Sequence, residues 1–533
     1  MSEVVNETTF AEATEFNLTT QLRSYAPAIL AVAGALLMML LRIKLGGAGF
    51  ISDSALMLLA LACYLTAAVF HLTNLYAPSN WAQRLGLWLA TSGVFFNLSS
   101  WLVRWVNARD HELAVLLRNP GAEIPWFFRY IPFANLYDLS LAFAFGAGIT
   151  TLLIAHRKSF RFLGALSLPL ASLILVLARF IGADFINLPP VLDSYWRPIH
   201  VGIASLSYGV ALVCFAIAVV YLLKDKTKPE AMAIWTSIFS LAVFATVSQF
   251  SVLTSGVYRA STILIGGERH TPLALRVDIP YVGAILLVTS LLLVGVIVTF
   301  GIYLAKGDEK MRVYGHWLLK LSLVAQAIGV ATLVSQIKSL TNLTTRIDQG
   351  QYLLFGKWMA EQQGLKPNQI AQIGTDRLAQ EAVNFVQTKG SQLALSLNAN
   401  PVELAALITA LTATFFVILF SFRTEKLRDV LPPLEKLDSL MYKTAGVTFA
   451  LLAMLLITGA IWANESWGAY WSWDSKEVGA LVAWLTYAAY LHTRIARGWT
   501  GRRSAYFAIA GFLLIIFTYL GVSYLLPGLH SYA

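Results

Sequence analysis

The 533-residue sequence is 57% hydrophobic and 13% charged, with a mean hydropathy of +0.65. Soluble domains carry about twice that charged fraction, so a water-soluble globular fold is excluded. The formal net charge of +10 sits in short clusters between apolar runs. That placement reads as a membrane-orientation signal rather than a nucleic-acid-binding face.

In chain order, residues 1–22 are polar and acidic, without a basic region or a small-residue cleavage site, so no signal or transit peptide is expected. Thirteen apolar runs follow, at 25–43, 54–76, 86–106, 137–155, 162–181, 201–223, 234–255, 281–304, 316–336, 402–422, 443–463, 478–495 and 505–525. Each is close to the ~20 residues that a bilayer-spanning helix needs. The predicted fold is an all-α polytopic membrane protein with about 13 transmembrane helices. The turns "HRKSFR" (156–161), "KDKTK" (224–228), "KGDEKMR" (306–312), "FRTEKLR" (422–428) and "TRIARGWTGRR" (493–503) are short and basic. The positive-inside rule then puts the N-terminus in the cytoplasm and the C-terminus outside. The longest connection, 337–401, falls outside, and its apolar residues recur at three- and four-residue intervals in "GQYLLFGKWMAEQQG" and "NQIAQIGTDRLAQEAVNFVQTKG". Amphipathic helices lying on the membrane or folding over the core are expected there. Cys63 and Cys214 lie inside apolar runs. With no CxxC pair there is no zinc–thiolate or dithiol motif, and with no CxxCH the chain does not attach haem c to itself.

The densest aromatic stretch is "WGAYWSWDSKE", Trp467 to Glu477, at the predicted outer end of the span pair 443–463 and 478–495. Interfacial tryptophans scatter along a membrane boundary, whereas Trp467, Tyr470, Trp471 and Trp473 are clustered. In an extended segment Trp471 and Trp473 point the same way, giving an apolar surface suited to a planar ring. Gly468 opens the loop. Asp474, Lys476 and Glu477 close it, with Asp474 readable either as a loop brace or as a plain cap for the helix that follows. Two histidines are predicted at the level of this loop: His200, opening the span after "LPPVLDSYWRPIH", and His530, in the terminal "LLPGLHSYA". Neutral imidazoles flanking a flat aromatic platform suit axial ligation of haem iron. Two more histidines lie deeper. His492 is 15 residues beyond Glu477, roughly 22 Å along a helix, and His71 enters its own span to a similar depth. An ionisable side chain inside an apolar run is a functional candidate.

These residues carry a resemblance. The stretches "LPPLEKLDSLMYK", "ITGAIWANESWGAYWSWDSKE", "WLTYAAYLHTR", "GWTGRRSAYFAIAGF" and "YLGVSYLLPGLHSYA", with "IPFANLYDLS" and "LDSYWRPIHVGIASLSYG" upstream, resemble the CcsA/ResC family of cytochrome c biogenesis proteins. These are System II cytochrome c synthase components with a tryptophan-rich WWD domain. The resemblance divides the chain into N-terminal membrane helices (1–130), a CcsA-like region with the first external histidine (131–232), an insertion of four spans and a long outer loop without a family counterpart (233–424), and the WWD haem-handling core (425–533).

The resemblance implies that His200 and His530 ligate haem at the outer face, and that His492 is a haem-iron ligand within the membrane. His71 is added to the deep site from its depth alone. It implies haem b as substrate and bound ligand, and holocytochrome c synthase (haem lyase) chemistry on an apocytochrome c with a CxxCH motif. The implied partners are a ResB/CcsB-like membrane subunit and a thioredoxin-like apocytochrome reductant, with no nucleic acid. The implied location is the bacterial inner membrane rather than the thylakoid. The competing reading is a haem exporter or haem-binding scaffold that performs no ligation; a b-haem quinone oxidoreductase subunit is a third.

Overall fold

The computed structural model describes residues 18–47, 49–118, 121, 127–185, 190–265, 271–399 and 401–522. Among the described residues twelve helices are long and apolar enough to cross a membrane, and the protein is an all-α polytopic membrane protein. Its chain divides into two units, residues 1–131 with 144–171, and residues 132–143 with 172–533.

The first unit is built on α1 (Leu18–Leu45), α2 (Asp53–Tyr76) and α3 (Asn80–Leu116), with α3 packed on both α1 and α2. It also takes most of α4 (Leu136–Ala155) and the start of α5 (Gly164–Ile181). Serines punctuate its helix starts: the Ser52 hydroxyl accepts from the Ala55 N–H and the Ser79 hydroxyl from that of Ala82, the usual N-cap device. Its buried charges are paired. Arg104, 1% exposed, meets Asp53 at 3.3 Å, and Arg42 meets Asp110 at 2.8 Å, as an apolar surrounding demands of charges.

In the second unit, α6 (Trp196–Lys224) leads through a short turn to α7 (Pro229–Val247) and the single turn α8 (Ser251–Ser255). Strands β1 (Arg259–Leu264) and β2 (Thr271–Asp278) follow, then α9 (Val282–Lys306) and α10 (Glu309–Ser339). The next segment holds α11 (Gln351–Gln362), α12 (Pro367–Ile373), α13 (Thr375–Lys389) and β3 (Leu393–Leu395). The chain closes with α14 (Pro401–Ser421), α15 (Thr424–Val430), α16 (Leu434–Trp467), α17 (Ser475–Arg497) and α18 (Arg502–Ile516). Two packing groups result: α6 against α16 and α18, with α17 between α16 and α18; and α7, α9, α10 and α14 against one another.

The strands form an antiparallel sheet in the order β2-β1-β3, with Arg259 opposite Asp278 and Thr262 opposite Leu395. This sheet is absent from the sequence reading, because its strands are too short for alternation to stand out between apolar helices. The amphipathic helices expected in 337–401 are α11 to α13. They fold over the core, where Phe355, Ala382 and Val386 join Leu275 and Leu404 in one apolar cluster. Glu403, in the first turn of α14, pairs with Arg276 of β2 and accepts from the Tyr258 hydroxyl at 3.1 Å, tying sheet to helix. The predicted span 478–495 is helical throughout α17, yet that helix is not among the twelve apolar ones. Thr486, His492, Thr493 and Arg494 dilute its hydropathy, so twelve of the 13 predicted spans are counted apolar among the described residues.

Candidate functional site

A cleft of about 1120 Å³, its open mouth included, lies among α6, α16, the start of α17 and residues 133–139. Helical spacing explains its walls. On α6, Arg197, His200, Val201, Ala204 and Tyr208 recur at three- and four-residue steps; on α16, Leu455, Gly459, Trp462, Ala463 and Trp467 do the same. Of the aromatic loop, Trp467, Tyr470 and Trp471 line the cleft, as do Lys476 and Glu477 just beyond it. His200 and this loop therefore share one cavity.

The His200 side chain is held in a defined state. Its Nδ1 lies 3.0 Å from the Leu455 carbonyl oxygen, which can only accept, so Nδ1 carries the proton and the lone pair of the neutral ring is at Nε2. A histidine whose Nδ1–H is anchored to a backbone carbonyl is oriented and made more basic for a metal at Nε2. The ring packs beside Trp462, centroids 5.7 Å apart, and Trp462 lies 6.5 Å from Trp467. Gly459 makes the packing possible, since a Cβ there would meet His200 Cε1 at 2.7 Å.

The loop geometry departs from the expected flat surface. Gly468 ends α16 in the left-handed region, at φ +74°, and Trp473 takes φ +60°. The Trp471 and Trp473 rings stand at 90° to each other, with Trp473 73% exposed. The left-handed backbone at Trp473 itself departs from the extended segment that alternation would need, and the ring pair is not coplanar. Asp474 caps α17, accepting from the Lys476 N–H at 3.0 Å, and Glu477 completes a capping box by accepting from the Asp474 N–H. Glu477 also accepts from the Ser472 N–H and hydroxyl. Burial pushes the Lys476 ammonium down to about 8, with the Asp474 carboxylate pulling the other way.

The remaining predicted residues lie elsewhere. His530 falls outside the described residues. His492 is exposed on α17, on a helix that runs unbroken from Ser475. His71 belongs to the first unit, 3% exposed, its ring against Gly86 and Gly164 and hydrogen-bonded to the Gly86 backbone. Among the described residues no group of three or more His, Cys, Asp or Glu is placed to hold a metal ion. A porphyrin brings four nitrogens of its own, so one or two imidazoles suffice.

The model of the family described as cytochrome c assembly protein matches residues 133–271 and 401–530. Those segments cover just over half of the chain and supply all the cleft walls. The chain belongs to the cytochrome c assembly protein family. Over 98 residues it is 59% identical to a protein named cytochrome c biogenesis protein CcsA from Prochlorococcus marinus (strain MIT 9303), covering 18% of this chain and 31% of that one. Proteins of the same name from Prochlorococcus marinus (strain NATL2A) and Guillardia theta are 55% identical over 114 residues and 58% over 99. These cover 21% and 19% of this chain and 36% and 33% of the relatives. The matched stretches thus span about a third of the curated relatives. The cytochrome c assembly match leaves out residues 272–400, which hold β2 except its first residue, α9, α10, α11 to α13 and β3.

Sequence reasoning missed Arg197, Trp462, Tyr208 and Thr518, all lining this assembly-family cleft. The signal for two of them was helical spacing: Arg197 precedes His200 by one turn, and Trp462 lies one and a half turns below Trp467.

Proposed function

We propose that this chain receives haem b and presents it at the outer face of a bacterial cytoplasmic membrane for covalent attachment to the CxxCH segment of an apocytochrome c. It acts there with a ResB/CcsB-like membrane subunit and a thioredoxin-like reductant that keeps the acceptor thiols reduced. The observation that carries this reading is the placement of His200, with its Nδ1 hydrogen-bonded to the Leu455 carbonyl, in the same cleft as Trp467, Tyr470 and Trp471. The donor set suits haem: an imidazole with a lone pair at Nε2, aromatic walls for a porphyrin plane, and a cation for a propionate.

In this scheme His200 and His530 would hold the haem iron, and His492 would receive haem within the membrane. Trp467, Tyr470 and Trp471 cover the ring and exclude water. Asp474 and Glu477 act through the backbone, holding the loop and the start of α17 in place. Each acceptor thiol adds across a haem vinyl group, the sulfur bonding to one vinyl carbon and the proton going to the other, so the step needs no external oxidant. The protein's share is position and electrostatics.

The test co-expresses the chain and its membrane partner with a CxxCH reporter and measures covalent haem on the reporter. Substituting His200→Ala or His530→Ala is expected to cut the yield about tenfold or more. Normal yield from both variants would refute external ligation, and haem-loaded protein with an unmodified reporter would favour a carrier without ligation activity.

A further inference from the structure

We propose that Phe250 and Tyr281 form a membrane-interface anchor. Their rings sit in the lipid headgroup layer and fix the height of the β2-β1-β3 sheet and of α11 to α13 over the bilayer. Both residues have a positive φ, +64° at Phe250 and +65° at Tyr281, a backbone state that is sterically costly for a side chain with a bulky ring. Neither ring recovers that cost by burial within the chain, since Phe250 is 62% and Tyr281 73% exposed. The compensating contact therefore lies outside the polypeptide.

The chain on either side identifies that contact. Phe250 follows the end of α7 by three residues, and Tyr281 immediately precedes α9; both helices are long and apolar enough to cross a membrane. The two segments are held together: Gly283 lies so close to the Gly256 carbonyl oxygen that a Cβ there would collide with it, and the Ile279 N–H donates to the Tyr258 carbonyl at 2.9 Å. Residues 248–258 and 279–283 contain no charged side chain. The first charges beyond them are Arg259 and Asp278, which pair at 2.8 Å, with Asp348 on the same guanidinium at 2.8 Å. Along both segments the order is apolar helix, uncharged aromatic residue, ion pair. That order matches hydrocarbon, headgroup layer and water, and aromatic rings favour the middle layer. Leu253 of α8, 39% exposed, adds apolar surface at the same level.

The experiment uses the full-length protein in phosphatidylcholine vesicles, with Cys63→Ser and Cys214→Ala as background and one spin-labelled cysteine at a time. Collision of the label with oxygen, which enters lipid, is compared with collision with a water-soluble nickel chelate. Leu291→Cys, on the exposed face of α9, marks hydrocarbon, and Gln387→Cys, exposed on α13, marks water. Labels at Phe250→Cys, Tyr281→Cys and Leu253→Cys are expected to fall between these two references. Leu253→Cys keeps both rings in place, so it gives the answer even where a label at 250 or 281 disturbs folding. Adding Phe250→Ala with Tyr281→Ala is expected to raise the chelate's access to the Leu253→Cys label severalfold. Labels at 250, 281 and 253 as open to the chelate as the one at 387 would overturn the anchor and turn this patch into a protein-docking surface in water. An unchanged Leu253→Cys label in the double alanine variant would show that the rings do not set the height.

Discussion

At the residue scale, the site turns on how one imidazole is held. The Leu455 carbonyl sets the His200 tautomer, and Gly459 leaves the space in which the ring lies. Gly459→Ala should therefore separate stability from function. Alanine is the better helix former by about 1 kcal/mol, so α16 should be no less stable. Its Cβ would nevertheless push the ring off the Leu455 carbonyl, and haem affinity should fall about tenfold or more in a Soret titration; unchanged affinity would show that the ring position is unimportant. Lys476 provides a pH signature. Its folded-state value of about 8 lies below the ordinary 10.5, so between those values the unfolded chain binds a proton that the folded one does not. Its contribution to stability accordingly rises with pH through that window, while its charge, available to a propionate below about pH 8, is lost above it. Haem affinity should decline several-fold from pH 7 to pH 9, and Lys476→Gln should flatten that profile; an identical decline in the variant would assign it elsewhere. His200, Lys476 and the loop aromatics were legible because titratable and aromatic residues stand out at the ends of apolar runs. Arg197 and Trp462 were not, because they face the cleft only through helical periodicity, and that depends on knowing which face is inward.

At the element scale, the aromatic loop is held by the helix it precedes. The capping box of Asp474 and Glu477 satisfies N–H groups at the start of α17 and braces Ser472, so Asp474→Ala should cost about 1 kcal/mol, measured as a lowered thermal midpoint. The alternation of the loop could not be read correctly from sequence, since nothing in "WSWD" declares that Trp473 takes a left-handed backbone. The small sheet was hidden for a similar reason. β1 and β2 pair around a few β-branched residues, and β3 has only three residues, too few for a period to emerge. What joins this sheet to the helices is long-range: Arg276 on Glu403, with Tyr258 beside it. Arg276→Ala would strand a nearly buried carboxylate, a loss of about 3–5 kcal/mol. Limited proteolysis should then find cleavage within 259–278 before the membrane helices; equal resistance would show that the sheet stands without the pair.

At the scale of the second unit, connectivity alone places its parts. Short turns reverse the chain between α6 and α7 and between α9 and α10, and α15 does so between α14 and α16. The ends of α7 and α10 and the starts of α6, α9, α14 and α17 consequently share one side. The sheet and α11 to α13 lie on the side where His200 and the aromatic loop open. The number and order of apolar helices were readable because twenty apolar residues in a row have few other fates. The folded module between them was not, because its core is assembled from segments more than 100 residues apart.

The central claim, that His200 is an iron ligand in the cleft, is tested most directly by the spectrum of the purified His200→Ala protein with and without added imidazole. The account predicts that the haem Soret band of the wild type is shifted or lost in the variant and returns when imidazole fills the vacated position. A variant whose haem content and spectrum match the wild type, indifferent to imidazole, would contradict it.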